Sequence, residues 1–189
     1  MTNQTSDNVL IEKIIAGDKS LFSVLIERHK DYAFTLALRV LNNREDAEEV
    51  AHDAFLKALR SLSSFKMESK FTTWFYKIVV NLAISRRRKR SIQTQEIEVQ
   101  NTQHYSTFED LGGMPKEDRK FFLNKAIDLL KDEEKILITL FYFQEMDMEE
   151  VSEITGIDKN NLKVKMFRAR KRLAGALSEM LRDEIHTLL

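Results

Sequence analysis

Asp147-Met148-Glu149-Glu150-Val151-Ser152-Glu153-Ile154-Thr155-Gly156-Ile157-Asp158-Lys159-Asn160-Asn161-Leu162-Lys163-Val164-Lys165-Met166-Phe167-Arg168-Ala169-Arg170-Lys171-Arg172 holds two helices and the turn between them. Asp147 is an N-cap residue for a short helix, Met148 to Ile154, because its carboxylate can accept from the first free backbone N–H groups. Thr155-Gly156-Ile157 reads as a tight turn, glycine supplying the left-handed backbone that ends a helix. Asp158 then caps a long helix expected to reach about Arg182. A short helix, a three-residue turn and a longer helix have the spacing of a helix-turn-helix. Leu162, Met166, Ala169 and Leu173 recur at helical spacing and are expected to face a core, so Asn160, Lys163, Val164, Phe167 and Arg168 project away from it. Positions 159 to 172 carry seven basic and no acidic side chains. A solvated basic face would show the same charge; the capped turn in front of it points to phosphate neutralisation and base reading in a DNA groove.

The rest of the chain agrees with a helical protein. Only five glycines and one proline occur in 189 residues, too few turn formers for a sheet-rich fold, and 43% apolar with 32% charged residues suits soluble domains. The fold class expected is all-α, two small helical domains joined by a flexible linker. No run of about 18 apolar residues, the length of a membrane span, is present. Met1 to Asn8 lacks the parts of a signal peptide, so a cytoplasmic location is expected. The absence of cysteine excludes disulfides, thiolate zinc sites and cysteine nucleophiles. Net charge is zero overall, yet residues 1 to 90 hold 16 basic and 11 acidic side chains, residues 91 to 120 hold 3 and 6, and residues 121 to 189 hold 11 and 13. The domains expected from this are 1–90 and 119–189, with 91–118, rich in Gln, Thr, Ser, Asn and acids, as the linker.

Four helices are expected in the first domain. A short one ends at Gly17, and Asp18 caps a second that carries Phe22, Leu25, Ile26, His29, Ala33, Leu36 and Val40 on one face. Asn42-Asn43 ends it. The third, about Arg44 to Leu62, opens with Glu45, Asp46, Glu48 and Glu49, where the helix dipole favours acids. Ser63 to Lys70 breaks the period. The fourth places Phe71, Trp74, Phe75, Ile78, Val79 and Leu82 toward the core and ends in Arg86-Arg87-Arg88-Lys89-Arg90, the most basic point in the chain. Its opposite face, Thr73, Lys77, Asn81, Ser85 and Arg88, suits single-stranded DNA, with Tyr76 and Phe65 as the base contacts.

Catalysis has no candidate. There is no glycine-rich phosphate loop and no G-x-S-x-G or H-E-x-x-H motif, and His29, His52, His104 and His186 are scattered. Asp46, Glu49 and Asp53 share a helix face, which suits either dipole complementarity or docking of a basic partner better than a metal. No cofactor and no metal are expected, and the chain is not expected to be an enzyme.

Three motifs in order, Asp46-Ala47-Glu48-Glu49-Val50-Ala51-His52-Asp53-Ala54-Phe55-Leu56-Lys57-Ala58, then Phe71-Thr72-Thr73-Trp74-Phe75-Tyr76-Lys77-Ile78 with Asn81-Leu82-Ala83, then Phe167-Arg168-Ala169-Arg170-Lys171-Arg172-Leu173, resemble the extracytoplasmic-function (ECF) sigma factors of bacterial RNA polymerase. The resemblance covers about residues 8 to 90 and 120 to 182. It implies that Asp46, Glu49, His52 and Asp53 dock on the beta-prime clamp helices of core RNA polymerase. It implies further that Phe65, the loop to Lys70, Tyr76, Lys77 and Asn81 hold an unstacked base of the minus-ten element, with Arg86, Arg87 and Arg88 following the phosphates. In the second domain, Lys163, Val164, Phe167 and Arg168 would read the minus-thirty-five element, while Asn161, Lys165, Arg170 and Lys171 would hold its backbone, with Asn160 on the same DNA-binding face. The partners implied are core polymerase, including the beta flap, promoter DNA in duplex and single-stranded form, and an anti-sigma factor, a frequent regulator in the family. The free chain is expected to be a monomer, without membrane insertion, and the linker to run near the polymerase active centre. His52, Ser85, Ser152 and Val164 depart from the usual residues. A stand-alone helix-turn-helix regulator of double-stranded DNA is the alternative reading.

Overall fold

The structure, a computed structural model, describes the backbone of residues 6–93 and 116–187. Eight α-helices and no strand occur among the described residues, and they form two compact units, one from the N-terminal helices and one from the C-terminal helices.

In the first unit, α1 (Asp7–Ile15) is capped by Ser6, whose hydroxyl oxygen accepts from Val9 N. Asp18 does not cap the long helix directly. A single 3-10 turn, Lys19–Leu21, intervenes, and the Asp18 carboxylate accepts from the Ser20 hydroxyl instead. Helix α2 (Phe22–Leu41) ends where Asn42 takes the left-handed conformation at φ 50°, and its N–H donates to Leu38 O at 2.8 Å. Asparagine tolerates this region because its side chain is short and polar. Asn43 Oδ1 accepts from Asp46 N at 2.8 Å and so caps α3 (Arg44–Ser61). One asparagine therefore closes a helix and the next opens another. After a 3-10 turn, Leu62–Ser64, and a loop, α4 runs from Phe71 to Gln93.

Helices α2, α3 and α4 pack on one another and α1 lies against α2. Leu25, Leu36, Val40, Ala54, Phe71, Phe75 and Val79 are buried between them. The Phe71 and Phe75 rings stack at 5.5 Å, and Phe75 lies 4.5 Å from Phe55. Burying each such ring stabilises by about 1.5–3 kcal/mol. Asp7 ties α1 to α2: its carboxylate accepts from Arg28 Nη1 and from His29 Nε2, both at 2.8 Å. Those bonds, His29 first, hold the Asp7 carboxyl below its usual range against the opposing effect of burial.

The second unit holds α5 (Lys116–Asp128), α6 (Asp132–Ile138), α7 (Met148–Thr155) and α8 (Lys159–Thr187). After α6 the chain does not stop at once: the turn Thr139–Phe143 widens to a π-helix, and Gln144 N donates to Thr139 O at 3.1 Å. Helix α5 begins at Lys116 and α4 continues to Gln93, so both ends of the expected linker are helical. The rest of it, 94–115, lies outside the described residues. Helices α5 and α6 pack on α8 through Ala126, Ile127, Ile136, Leu137, Leu162, Met166 and Ala169, all buried.

Candidate nucleic-acid and partner interfaces

Local chemistry builds the helix-turn-helix almost entirely. Asp147 Oδ1 accepts from Glu149 N at 2.8 Å and Glu150 N at 2.9 Å, and Glu150 Oε2 accepts from Asp147 N at 3.0 Å. This reciprocal box satisfies three donors at the start of α7. Gly156 closes α7 at φ 72°, and the Ser152 hydroxyl donates to Ile157 O at 2.6 Å across the turn. The serine that departs from the family's usual residue thus staples the turn. Asp158 Oδ1 accepts from Asn160 N and Asn161 N, both at 3.1 Å, and its carboxyl is held below its ordinary value, chiefly by the Asn161 N–H.

Leu162, Met166 and Ala169 of α8 are buried, as their spacing requires. The other side presents Val164 at 48% exposure and Phe167 at 67%, a cost in water with no return inside the unit. Asn160, Lys163, Arg168 and Lys171 are exposed around them, and the three cations have no ion partner among the described residues. Other expected contacts are already engaged. Lys165 Nζ lies 2.6 Å from Glu133 Oε2, the Asn161 amide donates to Asp158 Oδ2, and Arg170 stands 5.3 Å over the Phe141 ring. Exposed pairs contribute only about 0–1 kcal/mol, so a phosphate can take Lys165 from Glu133.

In the first unit, Lys77, Asn81 and Arg88 are exposed along α4 as expected. Tyr76 and Phe65 are not. Tyr76 is 3% exposed, and burial pushes its phenol well above the ordinary range, with Tyr32 and Asp7 adding to the effect. Phe65 is 6% exposed, its ring 5.1 Å from Trp74 and 6.2 Å from Phe71, and anchors the loop to the core. Neither offers a free face to a base. Thr73 is buried too, while Trp74 and Ile78, expected inside, are half-buried. The buried stripe of α4 is Phe71, Phe75, Tyr76, Val79, Val80 and Ala83, rotated about one residue from the expected one, because the protein covers Tyr76 as well as Phe75. Met67, in the loop before α4, stands at φ 58°.

Helix α3 presents Glu49, His52 and Asp53 to solvent. Leu56 and Leu59, not among the expected docking residues, extend this exposed side at 39% and 37%. Their helical spacing from His52 and Asp53 was the available signal. Asp46 is different. Its two carboxylate oxygens take Arg86 Nε at 3.1 Å and Arg90 Nη1 at 3.0 Å, and Glu49 also pairs with Arg86. Arg87 Nη1 donates to Val40 O. Arg88 remains exposed with no ion partner among the described residues, whereas Arg86 and Arg87, expected on phosphates, are held by the protein itself. Among the described residues no three His, Asp or Glu side chains converge on a metal position.

These features define a class: an all-helical, two-unit protein whose second unit is a helix-turn-helix with an exposed apolar and basic reading face. The first unit matches sigma-70 region 2 over residues 25–92, and the second matches sigma-70 region 4 over residues 113–173. The ECF RNA polymerase sigma factor SigW of Bacillus subtilis is 30% identical over 182 residues, 92% of this chain and 95% of its own. The ECF RNA polymerase sigma-E factor of Escherichia coli is 28% identical over 191 residues, 96% of this chain and 100% of its own. The sigma factor RpoE of Bartonella quintana, solved in complex with the anti-sigma factor NepR, has the same fold at a TM-score of 0.69 and 22% identity, over 83% of this chain and 96% of its own. The chain belongs to the ECF sigma factors, DNA-binding factors of transcription initiation that act with RNA polymerase and are not enzymes. Among the described residues no helix is long and apolar enough to cross a membrane.

Proposed function

We propose that this chain binds core RNA polymerase in the cytoplasm, directs it to promoters carrying its own minus-thirty-five and minus-ten elements, and opens the DNA there. Residues 1–90 act as the region 2 domain, 91–118 as the linker and 119–189 as the region 4 domain. The observation that carries the reading is the outer face of α8, where Val164 and Phe167 stand exposed among Lys163, Arg168 and Lys171. A major groove takes apolar side chains against thymine methyl groups and cations against phosphates and guanine edges. Lys163, Val164, Phe167 and Arg168 read bases. Asn161, Lys165, Arg170 and Lys171 fix the helix on the backbone, Lys165 by exchanging Glu133 for a phosphate, and Asn160 belongs to the same DNA-binding face.

On the first unit, Lys77, Asn81 and Arg88 face the opened minus-ten strand. Phe65 and Tyr76 support that surface from beneath it. Glu49, His52 and Asp53, with Leu56 and Leu59 beside them, form an acidic surface with an apolar edge that suits a basic helical partner such as the beta-prime clamp. The region 4 unit meets the beta flap. Two small DNA-binding faces on one linker gain affinity only when their separation is set, so the free monomer binds duplex DNA weakly and polymerase supplies the geometry. An anti-sigma factor is a further partner, as for RpoE, solved with NepR, and CnrH, solved with the cytosolic domain of CnrY.

In vitro transcription of fragmented genomic DNA with core RNA polymerase, with and without the chain, tests the reading. RNA 5′ ends that share two spaced upstream motifs, and vanish with Asp53→Ala, are expected. No new starts from an active cognate core enzyme would leave a stand-alone helix-turn-helix regulator instead.

A further inference from the structure

The acidic start of α3 and the basic end of α4 point to two different partners, yet in the folded chain they close on each other. Asp46 accepts from Arg86 Nε through one oxygen, at 3.1 Å, and from Arg90 Nη1 through the other, at 3.0 Å. Glu49 pairs with Nη2 of the same guanidinium. The Asp46 side chain is 24% exposed, the Arg86 side chain 33% and that of Arg90 55%, so the pairs sit at the surface, where a competing ion can reach them. The neighbouring Arg88 and Lys89 are exposed without an ion partner among the described residues. Five cations in sequence are thereby sorted into two that acids hold, one that a main-chain carbonyl holds and two that are free.

A carboxylate that receives two guanidiniums occupies them as a nucleic-acid phosphate would, because both anions take the same N–H donors. Arg86 and Arg90 cannot fully satisfy Asp46 and a phosphate together. The acids, in turn, cannot fully satisfy these arginines and the basic residues of a partner. We propose that Asp46 and Glu49 are a built-in counter-ion for the end of α4. In the free chain they compete with nucleic-acid phosphates for Arg86 and Arg90, through three ion pairs where Lys165 has a single acid. When a basic partner surface occupies the α3 acids, the two arginines pass to the DNA backbone. The two binding events share one set of ion pairs, so each favours the other, and the coupling is reciprocal. The inference rests on the reading that α3 meets polymerase and the end of α4 meets DNA. It assigns Asp46 the role of a positioning residue that acts through the arginines.

Fluorescence anisotropy of a labelled non-promoter duplex with the full-length free chain, over a range of salt, reads the exchange without polymerase. Duplex affinity falls with salt at a slope of about 0.9 per neutralised phosphate, so Asp46→Asn/Glu49→Gln, which removes the acids paired with Arg86 and Arg90, steepens the slope by about 0.9 to 1.8. Between about 50 and 200 mM salt the variant then loses about three- to twelvefold more affinity than the parent chain. Adding Arg86→Gln and Arg90→Gln to the variant should cancel the increase. Glu12→Gln/Glu45→Gln makes the same charge change in the same unit, at exposed acids with no ion partner among the described residues, and should leave the slope as it was. An unchanged slope in Asp46→Asn/Glu49→Gln, or an equal increase in Glu12→Gln/Glu45→Gln, overturns the proposal. Should Asp46→Asn/Glu49→Gln fail to fold, the Arg86 and Arg90 Nε resonances of the parent chain decide. They stay in place when the duplex is added if the acids hold them, and move if they already meet phosphates. Transcription with core enzyme tests the functional reading separately, so failure of one is distinguishable from failure of the other.

Discussion

Replacing Phe167 by alanine isolates the apolar part of DNA reading from the charged part, because the structure places the ring almost wholly outside the protein. With 67% of the residue exposed, a phenylalanine of about 200 Å² leaves about 134 Å² for a groove to cover. If half of that is removed from water, at about 25 cal/mol per Å², the ring contributes about 1.7 kcal/mol to binding. Its loss should weaken the holoenzyme's affinity for a mapped promoter roughly fifteenfold. Folding should hardly change, since exposed substitutions usually shift stability by less than about 0.5 kcal/mol. The assay is equilibrium binding of reconstituted holoenzyme to that promoter, with a thermal melt of each variant. A uracil scan of the upstream element sharpens it, because uracil is thymine without the methyl group. At the base Phe167 touches, uracil should weaken the parent chain and make no further difference to Phe167→Ala, the non-additivity expected of a direct contact. Unchanged promoter affinity in Phe167→Ala, or penalties that add at every thymine, would refute the assignment.

Two further outcomes follow from the local geometry. Asp147→Ala removes the reciprocal cap at the start of α7 and should cost about 1 kcal/mol. The second unit should melt roughly 4–8 °C lower by calorimetry, and an unaltered melt would show that the box contributes nothing. Asp7 titrates below its ordinary value because of His29 and Arg28. Its stabilising effect is therefore complete above the unfolded value, near 3.8, and is lost as pH falls through the lower folded value. Asp7→Asn should flatten that acid limb in urea melts at a series of pH values; a parallel decline in both chains would contradict the assignment.

Much of the molecule was legible because local rules write it. Asn43, Asp147, Gly156 and Asp158 take the capping and turn geometry that their side chains dictate, and the stripe Leu162, Met166 and Ala169 could face only inward. On α4 the same reasoning picked the wrong stripe by about one residue. Phe75, Tyr76, Val79, Val80 and Ala83 are apolar or aromatic at spacings as helical as those of Phe71, Trp74, Phe75 and Ile78. An apolar arc that broad does not itself name the half that is covered. The packing of α4 in the unit decided it and buried Tyr76 and Thr73.

The sequence by itself determined an all-helical chain, the caps at Asn43, Asp147, Gly156 and Asp158, and the helix-turn-helix with its basic outer face, since each depends on residues within about one or two helical turns. Only the tertiary structure decided which charges are available. Asp46 and Arg86 are separated by 40 positions, and Glu133 and Lys165 by 32. No periodicity joins such residues. Packing α3 against α4, and α6 against α8, brings opposite charges to about 3 Å. At that separation Coulomb attraction sorts the cations into those already paired and those still free to meet phosphate.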